Sequence, residues 1–415
     1  MIHRESDGMD FIAERAKINS SATVGIMDQV KKLRRAGEDV ISLSAGEPDF
    51  VTPEHIRDYA KQALDQGYTF YSDTPGLIEL REAIAEKLLR DNDIEANPES
   101  EIVVTVGGKE AIYCAMMATV NPGDEVIVPD PYWVSYVPCI ELCGGHPVYL
   151  PLDESGGFRI SASQVEKAVT SRTKMLILNS PNNPTGSVAT RSDLDALADL
   201  AKRKHFLVLS DELYEKILFD GERHYSIASF AGMKDLSIVV NGFSKATAMP
   251  GWRLGYLTAP KSITTRVTAI HSHLVTGACT FAQRAAALAL RDERTEKSIK
   301  EMVSEYQLRR DIVMDALKRI DGVSCCSPRG TFYAFPNVSG YEMKSQELAS
   351  ELLNKAKVAV VPGAAFGVRN ERFIRLSFAT AKEKLKIALE RMQEIIPAFE
   401  KRKGPQHTRL TSIRK

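Results

Sequence analysis

Residues 236–256 read LSIVVNGFSKATAMPGWRLGY, an apolar run, a small-residue turn carrying Lys245, and a second apolar run opened by Arg253. The first run is apolar on successive residues rather than on alternate ones. That pattern predicts a strand buried on both faces. The same signature recurs upstream in KMLILN (174–179) and FLVLS (206–210). Further out, candidate strands fall at Glu101–Thr105, Glu125–Val128, His146–Leu150 and Arg253–Thr258. Segments of helical period lie between them, near 76–91, 108–119, 161–169 and 190–204. Strand and helix alternate, so the reading is an α/β chain with a mostly parallel, doubly wound sheet.

Beyond about residue 260 the rhythm changes. Long amphipathic helices are expected near 280–320 and 381–400, with short strands near 331–336 and 371–376 flanking a helix near 344–355. This reads as a second, smaller α+β unit. The piece before Pro53 is too short to fold alone and is expected to pack with that unit. The resulting division is a large domain at 52–300, a small one from 1–51 plus 301–403, and a disordered tail at 404–415 after Gly404-Pro405.

Composition narrows the function. The 415 residues are 44% hydrophobic and 26% charged, as in an ordinary soluble globular protein. Lys plus Arg and Asp plus Glu both number 54, so no basic excess points to nucleic acid. The first twenty residues contain no apolar run, and no stretch approaches a membrane span, so a cytoplasmic protein is expected. Cys114, Cys139, Cys143, Cys279, Cys325 and Cys326 show no paired metal-ligand spacing, so no metal site is expected and reduced thiols are the reading.

In open α/β sheets, ligands bind beyond the carboxyl ends of the strands. Four chemistry-bearing segments fall there: Asn183 in NSPNNPTG, Asp211 and Tyr214 in SDELYE, Lys245 in NGFSK, and Arg253 in PGWRLGY. Each alone has a dull explanation as a turn, a cap or a surface charge. Together, at successive strand ends, they suggest a site. VTVGGKEAI (104–112) adds Gly107, Gly108 and Lys109 between a strand and a helical run, where backbone N–H groups favour a phosphate. The spacing is not that of a P-loop, and no G-x-G-x-x-G occurs, which counts against a dinucleotide fold.

The run Gly242-Phe243-Ser244-Lys245, Ala248-Met249, Gly251 and Arg253-Leu254-Gly255 matches the pyridoxal 5′-phosphate attachment signature of class I and II aminotransferases. Further motifs agree in order and spacing: SAGEPDF, YSDTPGLIELREAI, DPYWVSY, VVPGAAFG and ERFIRLSFAT. The chain resembles the aspartate aminotransferases of bacteria and archaea, a subgroup that includes bifunctional aspartate/prephenate enzymes. The resemblance implies fold type I, with a seven-stranded sheet and a homodimer sharing its active sites.

It also implies roles. Lys245 would hold the cofactor as an imine and shuttle a proton. Asp211 would pair with the pyridine nitrogen, and Tyr214 and Asn183 with the phenolic oxygen. Trp133 would stack on the ring. Ser244, Arg253 and the amides of Gly108 and Lys109 would cradle the phosphate, with Tyr71 reaching in from the neighbouring subunit. Some relatives place a serine hydroxyl at the position of Gly242, a contact this chain lacks. Arg375 would fork onto the substrate α-carboxylate, helped by the Gly46 amide.

Lys109, Ser21 and Thr23 would meet the second carboxylate of an acidic substrate, which favours aspartate, 2-oxoglutarate and also prephenate. HLVTGACTFAQRAA (273–286) departs from the more polar stretch expected in close relatives. It leaves broad or aromatic specificity open. The same scaffold also runs carbon–sulfur lyase chemistry. A cofactor-sensing regulator is disfavoured because no helix-turn-helix or linker precedes residue 20.

Overall fold

The computed structural model describes residues 12–18, 20 and 22–402. Ser21 and the basic tail expected at 404–415 lie outside them. All seven expected strands form one sheet, numbered here β1 (Ile102–Thr105), β2 (Glu125–Asp130), β3 (His146–Pro151), β4 (Thr173–Asn179), β5 (Leu207–Asp211), β6 (Ser237–Gly242) and β7 (Gly255–Thr258). Their spatial order is β1-β7-β6-β5-β4-β2-β3. The pairs β2/β3, β2/β4, β4/β5 and β5/β6 are parallel, and β7 runs antiparallel to both of its neighbours.

Alternate residues of the inner strands bury on opposite faces, which is why their runs are apolar throughout, while the edge strand β3 buries only Leu150. Val103, Val126, Val128, Met175, Ile177, Leu209, Val240 and Leu257 share one core with helix Gly108–Thr119. Ile102, Val104, Val239 and Tyr256 face the other way, against Leu80, Ile84 and Ala286. Ile127, Leu176, Leu178 and Val208 do so against Leu194, Leu197 and Ala201 of helix Arg191–Lys204.

Near the C-terminus, Val361–Pro362, Ile374–Ser377 and Tyr333–Ala334 make a three-stranded antiparallel sheet. Ile41–Ser42 pairs in parallel with Val358–Ala359, so the two ends of the chain meet. Ile41, Leu43, Phe332, Val358, Leu376, Leu385 and Met392 bury together there.

Two expectations change. Arg253 does not begin a strand. It sits at φ +53° after the short turn Pro250–Trp252, and β7 begins at Gly255. The helix expected at 280–320 is two, Thr280–Ala289 and Glu293–Leu317, because the Asp292 side chain accepts from the Arg294 N–H and caps a new start. Lys261–Val275 is also a helix. No helix among the described residues is long and apolar enough to cross a membrane.

Candidate active site

The carboxyl ends of the parallel strands share one edge. There Asn179 registers with Asp211, and Thr105 and Gly242 both register with Gly255. A cavity of about 360 Å³ opens beyond this edge, within the usual range for small-molecule sites. Its wall includes Thr23, Gly46, Gly108, Lys109, Trp133, Asn183, Asp211, Tyr214, Ser244, Lys245, Arg253 and Arg375. Twelve of the fourteen residues singled out in the sequence are therefore together. Tyr71 is not among them: it is 89% exposed in the single chain. Ser21 lies outside the described residues.

Lys245 projects from the turn after β6, and its Nζ donates to the Gly46 carbonyl at 2.5 Å. The surface it keeps faces the cavity rather than bulk solvent. Burial, then the Arg375 guanidinium, pushes its pKa down to about 8.

Asp211 ends β5. Burial raises its carboxyl to about 6, against the hydrogen bonds that hold it down. One of these comes from the Tyr136 hydroxyl at 2.5 Å and another from the Leu213 N–H at 3.3 Å. It remains mostly ionised at neutral pH. The Tyr214 and Tyr333 hydroxyls pair at 2.9 Å, and burial pushes Tyr214 well above its ordinary range.

Arg375 is only 2% exposed. It donates to Asn183 Oδ1 and to the Ser44 carbonyl, both at 3.0 Å, and lies 4.2 Å over the Tyr333 ring. Its Nε is buried with no partner. A buried N–H donor costs free energy unless an acceptor arrives, so an anion is wanted here.

At the other end, helix Gly108–Thr119 starts with first-turn amides that have no partner inside the helix. Three glycines keep this corner open. A Cβ on Gly107, which sits at φ +80°, would meet the Arg253 guanidinium at 2.6 Å. One on Gly255 would meet Gly107 and Gly108 backbone at 2.6 Å. One on Gly242 would meet Gly255 Cα at 2.9 Å, so the serine that some relatives carry there has no room in this chain. The Val106 N–H is held by Glu110 Oε2 at 2.5 Å, and Glu110 Oε1 by His271 Nδ1 at 2.9 Å.

The residues fit pyridoxal phosphate. An anion cradle lies at the Gly107–Lys109 turn with Arg253, a carboxylate at Asp211, an amine of lowered proton affinity at Lys245, and a second anion seat at Arg375. Tyr136 and Tyr333 were not singled out from sequence. Tyr136 opens a helix three residues after Trp133, and the two rings meet edge to face at 5.3 Å; nothing around Tyr333 marks it.

The family description aminotransferase class I and II matches residues 38–392. An aspartate aminotransferase of Pyrococcus abyssi is 48% identical over 359 residues, 86% of this chain and 92% of its own length. An aromatic-amino-acid aminotransferase of Thermococcus litoralis is 46% identical over the same shares. The aspartate aminotransferase of Thermus thermophilus with maleate superposes with a TM-score of 0.89 at 40% identity, covering 92% of this chain and 99% of that one.

Proposed function

This chain belongs to the class I and II aminotransferases, a pyridoxal-phosphate family, and we propose that its amino donor and acceptor are aspartate and 2-oxoglutarate, with prephenate a further acceptor. One observation carries the acidic-substrate reading. The Lys109 ammonium lies 5.2 Å over the Trp133 ring on the cavity wall, with Thr23 on the same wall. A cation held there complements a second carboxylate. That the Thermus relative was solved with maleate, a dicarboxylate, supports this reading.

The bound cofactor supplies an electron sink for the bond broken at the substrate Cα. Arg375 forks onto the α-carboxylate through the N–H groups left open, and the Gly46 backbone closes the other side. This would turn the Cα hydrogen towards Lys245 Nζ, which would take the proton and return it to the cofactor carbon on the far side of the substrate nitrogen. Asp211, kept ionised and braced by Tyr136, holds a proton on the ring nitrogen. Tyr214 and Asn183 hold the ring oxygen, and Trp133 covers the ring face. Ser244, Arg253 and the Gly108 and Lys109 amides anchor the phosphate.

Phe70 is 82% exposed and, like Tyr71, is not part of the wall of its own cavity, which supports a homodimer in which Tyr71 completes the neighbour's phosphate seat; a cytoplasmic location is part of the same proposal. The unit built from 1–51 and 301–403 would close over 52–300 and exclude water.

Replacing Lys109 with Ala tests the substrate. The kcat/KM for aspartate should fall about tenfold or more, with phenylalanine nearly unchanged, since one charge-assisted bond is removed. Equal losses for both donors would remove the acidic reading. A second reading has its own observation: Val24, Met27, Ile112 and Val134 give the same wall an apolar side, which suits an aromatic substrate.

A further inference from the structure

The SDELYE segment has two faces. Asp211, Leu213 and Tyr214 face the cavity. Glu212 and Glu215 point behind it, and both are buried. Their ligand atoms and those of His224 lie within 4.8 Å of one another, a composition that by itself suggests a metal. The Lys87 ammonium fills the role of counter-ion instead. It pairs with Glu215 and donates to Asn92 Oδ1 at 2.6 Å, and Asn92 returns a bond to Glu215 Oε2 at 2.6 Å. Glu212 Oε1 accepts from Ser210 at 2.8 Å and from Ser226 at 2.6 Å, while its Oε2 faces His224 Nε2 at 3.0 Å.

These partners come from helix Ile78–Asn92, from β5 and from the loop at 224–226. The segment between Asp211 and Tyr214 is thus clamped from behind by two separate pieces of chain, together with Ser210 of its own strand. Buried ion pairs are poor stabilisers compared with apolar packing of the same volume, and removing one partner alone leaves an uncompensated buried charge. Proton chemistry at the cavity needs a fixed geometry, since positional errors of an ångström cost rate.

We propose that Lys87, Asn92, Glu212, Glu215 and His224 are a positioning network that fixes Asp211 and Tyr214 against the cofactor. The proposal rests on the cofactor roles given above to those two residues.

The test follows three properties of the purified holoenzyme: melting temperature, the pH midpoint of the visible band of bound pyridoxal phosphate, and the cofactor dissociation constant. Kinetics with aspartate accompany them. Lys87→Met strands a buried carboxylate. It should lower the melting temperature, move the band midpoint, weaken cofactor binding and cut kcat about tenfold, with KM changing far less. Lys87→Met/Glu215→Met removes both charges. Its melting temperature should recover, but the band midpoint and kcat should stay displaced because the rear clamp is gone. Glu212→Gln, nearly the same in volume, should move the midpoint without loss of fold.

If the midpoint and kcat return to native values together with the melting temperature, the network is only structural and the proposal is overturned. Native midpoints in all three variants overturn it equally. Asp211→Asn separates the two readings. If that change leaves the band untouched, the role of Asp211 itself is wrong. If it moves the band while the network variants do not, only the network fails.

Discussion

Arg253 and Arg375 line one cavity, yet one is built in solvent and the other in the core. Arg253 is exposed, on a left-handed residue, and its N–H groups rest on the Pro250 and Val106 carbonyls at 3.0 and 3.4 Å. Arg375 is 2% exposed, stacked between Tyr333 and Phe366, and keeps a buried Nε without an acceptor. A guanidinium does not give up its charge in a protein, so burial leaves Arg375 a cation held short of partners. The difference follows from what each must hold. A cofactor that stays can be held by a flexible cation at the rim. A substrate that enters and leaves each turnover needs a fork fixed beforehand.

The largest effect should come from Arg375→Met. Two charge-assisted bonds at about 1.5–3 kcal/mol each predict a fall of roughly 10²–10⁴ in kcat/KM for every amino donor. The melting temperature should hold or rise, because an under-partnered buried cation is replaced by an apolar chain of similar length. A sharp loss of stability with activity retained would show that Arg375 is a structural residue. Arg253→Gln should act elsewhere. The cofactor dissociation constant is expected to rise roughly ten- to a hundredfold, with kcat at saturating cofactor changing little. Because Arg253 is exposed, added salt should weaken cofactor binding more in the native protein than in this variant. Equilibrium dialysis at two ionic strengths measures both.

The same contrast explains what could be read from the sequence. Asn183, Asp211, Tyr214 and Lys245 were legible because they follow strand ends, and the strands announce themselves as continuous apolar runs; Thr23, Gly46, Trp133 and Arg375 came only with the family resemblance. The reversal of β7 was not legible, since a strand buried on both faces reads alike in either direction. Helix Lys261–Val275 was not read either. It is rich in β-branched residues, and its inward stripe is broken by His271, fully buried against Glu110. The rear clamp was invisible for a different reason: Lys87 and Glu215 are 128 positions apart, and no local pattern links them. The break at Asp292 was hidden because apolar residues of helical period continue on both sides of it.

The subtlest consequence concerns the Lys245 proton in cofactor-free protein. Burial lowers its pKa most, Arg375 next, and Arg253 contributes less than either, for a folded value of about 8 against 10.5. Between those values the unfolded chain keeps a proton that the folded chain has released, so this group's contribution to stability rises with pH across that window. Below it, holding a buried ammonium is a cost. Removing Arg375 takes away the larger of the two cationic influences and should lift the folded value towards 10.5, narrowing the window. Removing Arg253 should lift it less. The pH dependence of acylation at Lys245, followed by mass spectrometry in native, Arg375→Met and Arg253→Gln proteins, orders the three midpoints. The highest should belong to Arg375→Met and the lowest to the native chain. Equal midpoints for the two variants would mean that both cations act on Nζ alike, and the distinction between a rim arginine and a core arginine would then be one of burial alone.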